Sequence, residues 1–93
     1  MPPECWYVYI LRCNDDTLYA GCAANPQARL QKHNLGVASK YTRSRLPVQM
    51  VYSEVLPDRS SALRREKAIK ALSRRDKLLL ISESDKNNGR RRD

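Results

Sequence analysis

The sequence lacks the features that mark membrane, secreted and nucleotide-hydrolysing proteins. It contains no run of about 18 apolar residues, so we expect no transmembrane helix and no membrane partner. Residues 1–4 do not begin a basic segment followed by an apolar stretch, so we expect no signal peptide and a cytoplasmic location. Glycine is scarce, and no glycine-rich phosphate loop is present, which argues against nucleotide-triphosphate chemistry.

The cysteines are few and widely spaced. Cys5, Cys13 and Cys22 are three in number, so they cannot all pair within one chain. Their spacing differs from the closely spaced pairs of structural zinc sites. We interpret them as small strand residues with reduced thiols, and a metal role is the less favoured alternative.

Acidic residues are outnumbered by basic ones. A chain of 93 residues with 41% hydrophobic content predicts one small domain with a modest core. The 18 Lys and Arg residues exceed the 10 Asp and Glu residues, which gives a net charge of +8. The excess remains when the terminal Arg90, Arg91 and Arg92 are set aside. This balance indicates a polyanion partner, although charge also serves solubility.

The first regular segment predicts a β-hairpin. Residues 6–11 are rich in aromatic and β-branched residues and are typical of a strand. Both faces of that strand are apolar, so we expect it to be central in a sheet. A turn at 14–16 leads to a return strand at 18–22. Tyr9 and Tyr19 can approach each other across the hairpin, but the sequence does not determine the register.

The next segment carries an arginine and a histidine at helical spacing. Asn25 suits an N-cap and Pro26 suits the first helical position, so a helix is expected from Pro26 to about Asn34. Arg29 and His33 are four residues apart and lie on one face of that helix. Together with a tyrosine from the end of a strand, they form a trio suited to chemistry on an anion.

Residues 35–46 have the composition of a loop. They contain four candidate nucleic-acid-binding residues, which are Lys40, Tyr41, Arg43 and Arg45. Cations interleaved with an aromatic ring suit a phosphate backbone and a base that stacks. An ordinary solvated loop is an equally good interpretation.

A helix with an acidic residue among its core-facing positions is predicted in the second half. Asp58 or Ser60 caps it, and it ends near Leu72. Glu66 lies on the apolar face, where an unpaired carboxylate costs several kcal/mol. Its partner is expected to be either Arg29 or a metal ion, because Mg²⁺ typically takes one or two carboxylates.

The remaining elements complete the domain. A strand is expected at 48–55, and a last helix is expected at 74–82 with Leu78 and Ile81 on the core. From residue 83 onward the chain is polar and charged, so we expect a basic, disordered tail at 83–93.

Several motifs occur in one order along the chain. They are Tyr7-Val8-Tyr9, Tyr19-Ala20-Gly21, Arg29, His33 and Glu66, together with the runs 6–13, 40–43, 47–48 and 58–73. In this order and spacing they resemble the GIY-YIG nuclease superfamily, in particular its small stand-alone bacterial members. The resemblance covers residues 5–82, which we take as the nuclease-like domain.

The resemblance implies an α+β fold, in which a small single domain has a central three-stranded antiparallel sheet flanked by helices. It implies a DNA endonuclease that uses one divalent metal ion, Mg²⁺ or Mn²⁺, held by Glu66. By position, Tyr9 and Tyr19 are the tyrosines of the two motifs, and either can take the proton of the attacking water. Arg29 matches the catalytic arginine, and His33 falls at a histidine or tyrosine used in many members.

Two positions depart from the family motifs. Tyr7 replaces a glycine and Ala20 replaces an isoleucine, and neither change removes a functional tyrosine. Most relatives add a recognition domain or a partner, and this sequence shows no such domain, so we expect single-stranded or branched DNA to be favoured over duplex. A non-catalytic nucleic-acid-binding module with the same fold is the alternative, and an RNA substrate is a third possibility. The sequence leaves the oligomeric state open.

Overall fold

Strand β1 (Trp6–Arg12) lies at the centre of a three-stranded sheet of order β2-β1-β3. It pairs antiparallel with both β2 (Leu18–Ala23) and β3 (Gln49–Leu56). Val8, Ile10 and Leu11 are fully buried, because a central strand is covered on both faces. The predicted central position of the first strand and the antiparallel sheet are confirmed.

The computed structural model describes the backbone of residues 6–91 and the side chains of residues 6–85. Within this part of the chain, four helices accompany the sheet: α1 (Pro26–Asn34), α2 (Lys40–Arg43), α3 (Arg59–Lys70) and α4 (Arg74–Arg91). None of the helices in this range combines the length and apolarity needed to cross a membrane. The predicted α+β fold with flanking helices is confirmed. Cys5 lies outside the described residues.

The two faces of the sheet bury different clusters. Val8 and Ile10 pack with Ala62 and Ile69 of α3 on one face. The opposite face carries a second cluster with Leu30 of α1 packed against it. The buried members of that cluster are Tyr9, Leu11, Cys13, Ala23 and Val48. The Tyr9 side chain therefore points toward α1.

The hairpin register, which the sequence left open, pairs Tyr9 with Gly21 and Leu11 with Tyr19. Because side chains alternate along a strand, Tyr9, Tyr19 and Gly21 all lie on the α1 face of the sheet. The register therefore brings the two motif tyrosines to one side of the hairpin.

The predicted helix starts agree with the structure. The Asn25 side chain accepts a hydrogen bond from the Ala28 N–H at 3.1 Å, and Pro26 is the first residue of α1. The Asp58 carboxylate accepts from the Ser61 N–H at 2.7 Å, so Asp58 rather than Ser60 is the N-cap of α3. Short polar side chains satisfy the free N–H groups of a first helical turn in this way.

Two predicted loop or tail segments are helical instead. Helix α2 interrupts the predicted loop at 35–46, because Ser39 caps it by accepting from the Thr42 N–H at 3.1 Å. Helix α4 continues past Ser82 to Arg91, so it is longer than expected. Extending an existing helix costs little per residue. The division into residues 5–82 and 83–93 stays a prediction.

The packing of α4 also differs from the prediction in part. Leu80 and Ile81 pack against the core cluster under α3, whereas Leu78 is 42% exposed. The less exposed positions of α4 are 77, 80, 81 and 84, which follow one stripe of the helix. Ile81 was assigned to the core correctly and Leu78 wrongly.

Candidate active site

The Tyr9 ring is buried on the α1 face of the sheet and lies directly over Gly21. Only 2% of Tyr9 is exposed. A Cβ atom at position 21 would lie 2.6 Å from the Tyr9 hydroxyl and 2.8 Å from its Cζ. Glycine is therefore needed opposite the tyrosine for steric reasons, which explains why these two motif residues occur together.

A chain of hydrogen bonds connects Tyr9 of β1, through His33 of α1, to Thr42 of α2. The Tyr9 hydroxyl lies 3.1 Å from Nε2 of His33, and Nδ1 of His33 lies 2.8 Å from Oγ1 of Thr42. The Thr42 hydroxyl in turn reaches the Ser39 hydroxyl at 3.3 Å and its carbonyl at 3.5 Å. His33 and Thr42 are both buried, so these contacts are shielded from water.

The proton donors of this chain depend on the tautomer of His33. In one tautomer the Thr42 hydroxyl donates to Ser39 and accepts from the Nδ1–H of His33, and Nε2 of His33 accepts from the Tyr9 hydroxyl. This tautomer leaves lone pairs of the Tyr9 oxygen for a further hydrogen bond.

Thr42 is a site residue that the sequence analysis missed. It lies in the segment predicted as a loop, between Tyr41 and Arg43, and it is fully buried. Its spacing of three from Ser39 matches an N-cap followed by the third helical residue, which is the signal that was available. Its contact with His33 depends on the packing of α1 against α2 and has no sequence signature.

The second tyrosine borders His33 from another side. The Tyr19 and His33 ring centres are 5.3 Å apart in an edge-on arrangement. Tyr19 stacks with Tyr41, with ring centres 5.8 Å apart. The Arg45 guanidinium lies 3.9 Å from the centre of the Tyr41 ring, and it also pairs with Asp15 at 3.0 Å. A stack therefore runs from Tyr19 through Tyr41 to the partly exposed Arg45, and the edge of the Tyr19–His33 contact joins it to the buried histidine.

Arg29 lies on the exposed side of α1, one turn before His33. Burial raises the pKa of Tyr9 well above its usual value, the nearby Tyr19 adds to the rise, and the positive charge of Arg29 opposes it. Burial also lowers the pKa of His33, and Arg29 lowers it further. Arg29 is therefore within electrostatic reach of both rings, while its guanidinium faces solvent.

These pKa shifts describe the resting protonation of the pair. The raised pKa of Tyr9 keeps its phenol protonated at neutral pH, and the lowered pKa of His33 keeps its imidazole neutral. Neither ring carries charge before substrate binds. In the resting site, Tyr9 and His33 are therefore two neutral rings in hydrogen-bond contact.

Glu66 projects from α3 near the outer strand of the hairpin. Its carboxylate contacts Nζ of Lys70 at 2.9 Å, and its side chain is only 17% exposed. Burial raises the pKa of the Cys22 thiol to about 11, and a hydrogen bond and the negative charge of Glu66 add to that rise. The charge of Glu66 also contributes to the raised pKa of Tyr9, so the carboxylate lies within electrostatic reach of the Tyr9 hydroxyl.

Among the described side chains, the ion-pair partner of Glu66 is Lys70 and not Arg29, and the metal ion stays a prediction. Lys70, one helical turn later, holds the carboxylate, and Arg29 does not pair with it. The signal was available, because a glutamate four residues before a lysine is a common helical ion pair. In the described residues, no group of three His, Cys, Asp or Glu side chains forms a metal cage.

The donor set can be tested for a metal ion on chemical grounds. A single partly buried carboxylate does not suit a structural zinc site, which needs four nitrogen or sulfur ligands. It does suit Mg²⁺ or Mn²⁺, which keep several waters and take their other ligands from substrate phosphates. Glu66 therefore fits a hydrated divalent ion, and Lys70 contacts only one of its two carboxylate oxygens.

The predicted site residues fall into three groups. Tyr9, Tyr19, His33, Tyr41 and Arg45 form a continuous series of contacts. Arg29 and Glu66 are linked to Tyr9 through their charges. Lys40 and Arg43 lie on the exposed surface of α2, apart from the buried rings.

Similarity to known proteins was found at the level of family and fold. A family model described as the GIY-YIG catalytic domain matches residues 5–79. A UPF0213 protein of Staphylococcus haemolyticus is 48% identical over 77 residues, which cover 83% of this chain and 94% of the relative. A UPF0213 protein of Staphylococcus saprophyticus is 51% identical over the same coverage.

Two solved structures are also similar. The solution NMR structure of a UPF0213 protein from Bacillus halodurans has 41% identity and a TM-score of 0.55, covering 84% of this chain and 83% of that one. The solution NMR structure of a protein from E. faecalis has 36% identity and a TM-score of 0.59, covering 88% of both chains. The names of these relatives state no activity or substrate.

Proposed function

The chain belongs to the GIY-YIG family, a family of nucleases, and from this premise we propose that it is a cytoplasmic, metal-dependent DNA endonuclease. The observation that carries the proposal is the hydrogen-bonded series Tyr9–His33–Thr42, with Arg29 and Glu66 within electrostatic reach of Tyr9. Hydrolysis of a phosphodiester requires an activated water, neutralised phosphate charge and a stabilised leaving oxygen. The residues of the site supply these in turn.

Tyr9 is the proposed proton acceptor. Its oxygen takes the proton of the attacking water while its own hydroxyl proton passes to Nε2 of His33, 3.1 Å away. The phenol remains neutral throughout, which fits the raised pKa of Tyr9. The Nδ1–H of His33 holds its bond to Thr42, which fixes the ring and helps to stabilise the imidazolium that forms.

Arg29 and Glu66 are proposed to act on the phosphate. The Arg29 guanidinium is always charged and presents a planar set of donors that suits phosphate oxygens. Glu66 would hold one Mg²⁺ or Mn²⁺ ion, which when bound supplies charge neutralisation at the phosphate and the leaving oxygen. Nζ of Lys70 contacts one of the two Glu66 carboxylate oxygens, which leaves the other for such an ion. Tyr19 packs against His33 and positions it.

The proposed substrate is single-stranded or branched DNA. No acidic residue occurs between residues 17 and 53, whereas five cations do: Arg29, Lys32, Lys40, Arg43 and Arg45. Such a segment suits a phosphate backbone. The stack of Tyr19, Tyr41 and Arg45 ends in a guanidinium plane, on which an unpaired base can stack.

The decisive experiment measures cleavage of labelled single-stranded, forked and duplex DNA with Mg²⁺, Mn²⁺ or EDTA. We expect cutting only with metal, and a loss of about 100-fold or more for Glu66→Gln. Glu83→Gln, which changes an exposed carboxylate on α4, is the matched control and should cut like the wild type. Metal binding measured by calorimetry should weaken in Glu66→Gln alone.

Three other results would each change a different part of the proposed function. Binding of DNA without cleavage under every metal condition would favour a non-catalytic nucleic-acid-binding module with the same fold. A matched duplex cut as fast as a single strand of the same sequence would remove the substrate preference. A ribose-containing strand cut as fast as its deoxyribose counterpart would extend the activity to RNA.

A further inference from the structure

Two apolar side chains near the candidate active site, Leu35 and Val37, are exposed to solvent. Leu35 is 74% exposed and Val37 is 71% exposed, more than any other large apolar side chain among the described residues. Both residues lie between α1, which carries Arg29 and His33, and α2, which carries Lys40 and Arg43.

The backbone holds these two side chains outward. Gly36 has a φ of +80°, its N–H bonds the His33 carbonyl at 2.9 Å, and the Val37 N–H bonds the Lys32 carbonyl at 3.1 Å. This is the Schellman arrangement of a helix C-terminus, which is usually accompanied by an apolar contact back to the helix. Here the facing position is Lys32, and the apolar contact is not made. Leu35 and Val37 are therefore exposed yet fixed, and a partner can bind them without first ordering this turn.

Two cationic side chains, Lys40 and Arg43, lie beside the turn that contains Gly36 and Val37. A shallow cleft of about 240 Å³ lies between the turn and α2, lined by residues 36–40 and Arg43. The aliphatic part of Arg43 packs beside Gly36, with its Cγ 3.6 Å from a Cβ built there. Lys40 and Arg43 make no side-chain hydrogen bond or ion pair with other described residues, so their charges are available to a ligand. We define Leu35, Val37, Lys40 and Arg43 as the 35–43 surface.

This surface is tied directly to the proton-transfer pair. The Gly36 N–H bonds the carbonyl of His33, and Ser39 bonds the hydroxyl of Thr42, which holds the His33 ring. A nucleic-acid strand that crosses this surface therefore runs past the same helices that position Tyr9 and His33.

We propose, on the basis of the nuclease function proposed above, that the 35–43 surface binds an unpaired nucleotide of the DNA substrate. Leu35 and Val37 pack on the face of the base, and Lys40 and Arg43 contact its phosphate. A base in a duplex has both faces covered by its neighbours, so these aliphatic side chains gain little from intact duplex. An acidic protein would satisfy the cations but offers no reason for two apolar side chains beside them. The combination selects a flat, apolar face attached to a phosphate.

The test compares two double variants in the cleavage-deficient Glu66→Gln background. Leu35→Ser with Val37→Ser removes the apolar part of the surface. Val55→Ser with Leu79→Ser is the matched control, because Val55 is 59% and Leu79 is 51% exposed on β3 and α4. Binding is measured on forked, single-stranded and duplex DNA, with 2-aminopurine at the unpaired position of the fork. Circular dichroism melts check that all variants fold.

We expect the Leu35/Val37 variant to bind fork and single strand roughly 5- to 100-fold more weakly, because the two side chains no longer bury apolar surface against the base. Duplex binding should change less than about twofold, and the 2-aminopurine fluorescence change on binding should be lost. The Val55/Leu79 variant should match its parent on all three DNAs. Equal losses on duplex and fork, or no loss on either, would overturn the proposal.

Cleavage assays on the same substitutions without Glu66→Gln separate the nuclease function from binding by the 35–43 surface. A wild type that never cuts but binds forks through this surface refutes the nuclease function alone.

Discussion

At the scale of single residues, His33 makes the site sensitive to pH. It is the single histidine of the chain, and its buried ring joins Tyr9 to Thr42. Burial lowers its pKa from the model-peptide value near 6.5, and Arg29 lowers it further. As the pH falls below about 6.5, the unfolded chain takes up a proton on this histidine that the folded chain resists. The stability that depends on the neutral ring is therefore complete above that pH and decreases below it.

The prediction is that the free energy of unfolding decreases between about pH 7 and pH 5, with a slope of at most about 1.4 kcal/mol per pH unit. Urea titrations at a series of pH values measure it. His33→Gln should be less stable at neutral pH and should show a flatter profile over this interval, because no other histidine titrates there. Parallel profiles for the two proteins would mean that His33 takes up its proton in the folded state as readily as in the unfolded one.

At the scale of elements, one side chain joins the end of α1 to the start of β3. The Asn34 side-chain NH₂ donates to the Val48 carbonyl at 3.1 Å, and its side-chain oxygen accepts from the Val48 N–H at 2.8 Å. Val48 is buried, so both of its backbone groups depend on Asn34. This pair of bonds ties the C-terminal end of α1, which also carries Arg29 and His33, to the residue before β3.

Asn34→Ala should therefore lower the free energy of unfolding by about 1–3 kcal/mol, because it leaves two buried backbone groups unsatisfied. Asn14→Ala, a change of the same type in the exposed hairpin turn, should change stability by less than about 0.5 kcal/mol. Chemical denaturation of the wild type and the two variants measures these changes in the free energy of unfolding. If the two variants are equally stable, water replaces the amide and the link between α1 and β3 is weak.

The elements also show how far sequence reasoning reaches. The central strand, the helix start at Asn25 and the one-turn spacing of Arg29 and His33 follow from local patterns, because caps and periodicity act within a few residues. The pairing of Tyr9 with Gly21 does not, since it depends on which strand residues meet. The contact of Thr42 with His33 depends on how two helices pack and was invisible for the same reason. The choice of Lys70 over Arg29 as the partner of Glu66 was a local fact that was overlooked.

At the scale of the whole molecule, charge is distributed unevenly along the chain. The net charge is +8, and residues 17–53, which include α1 and α2, contain no acidic residue. The carboxylates are instead engaged in ion pairs elsewhere, such as Glu54 with Arg65 at 3.0 Å and Asp16 with Arg74 at 3.3 Å. Arg45 pairs with Asp15 at 3.0 Å, but no other cation of residues 17–53 forms an ion pair with a described acid. The α1 side of the sheet therefore presents several cations that are not neutralised, and a polyanion should bind there.

This asymmetry predicts which cations control the salt dependence of binding. Each phosphate contact on a single strand lowers log affinity by about 0.7 per tenfold rise in salt, because counterions are released. Lys40→Ala and Arg43→Ala on α2 should each reduce that slope by about this amount. Arg75→Ala and Lys77→Ala on α4, whose Leu80 and Ile81 pack on the other face of the sheet, should leave it unchanged. Fluorescence anisotropy with single-stranded DNA at several salt concentrations measures the slopes. Equal reductions by the α2 and α4 changes would mean that DNA contacts both faces, and that net charge rather than the position of the cations determines binding.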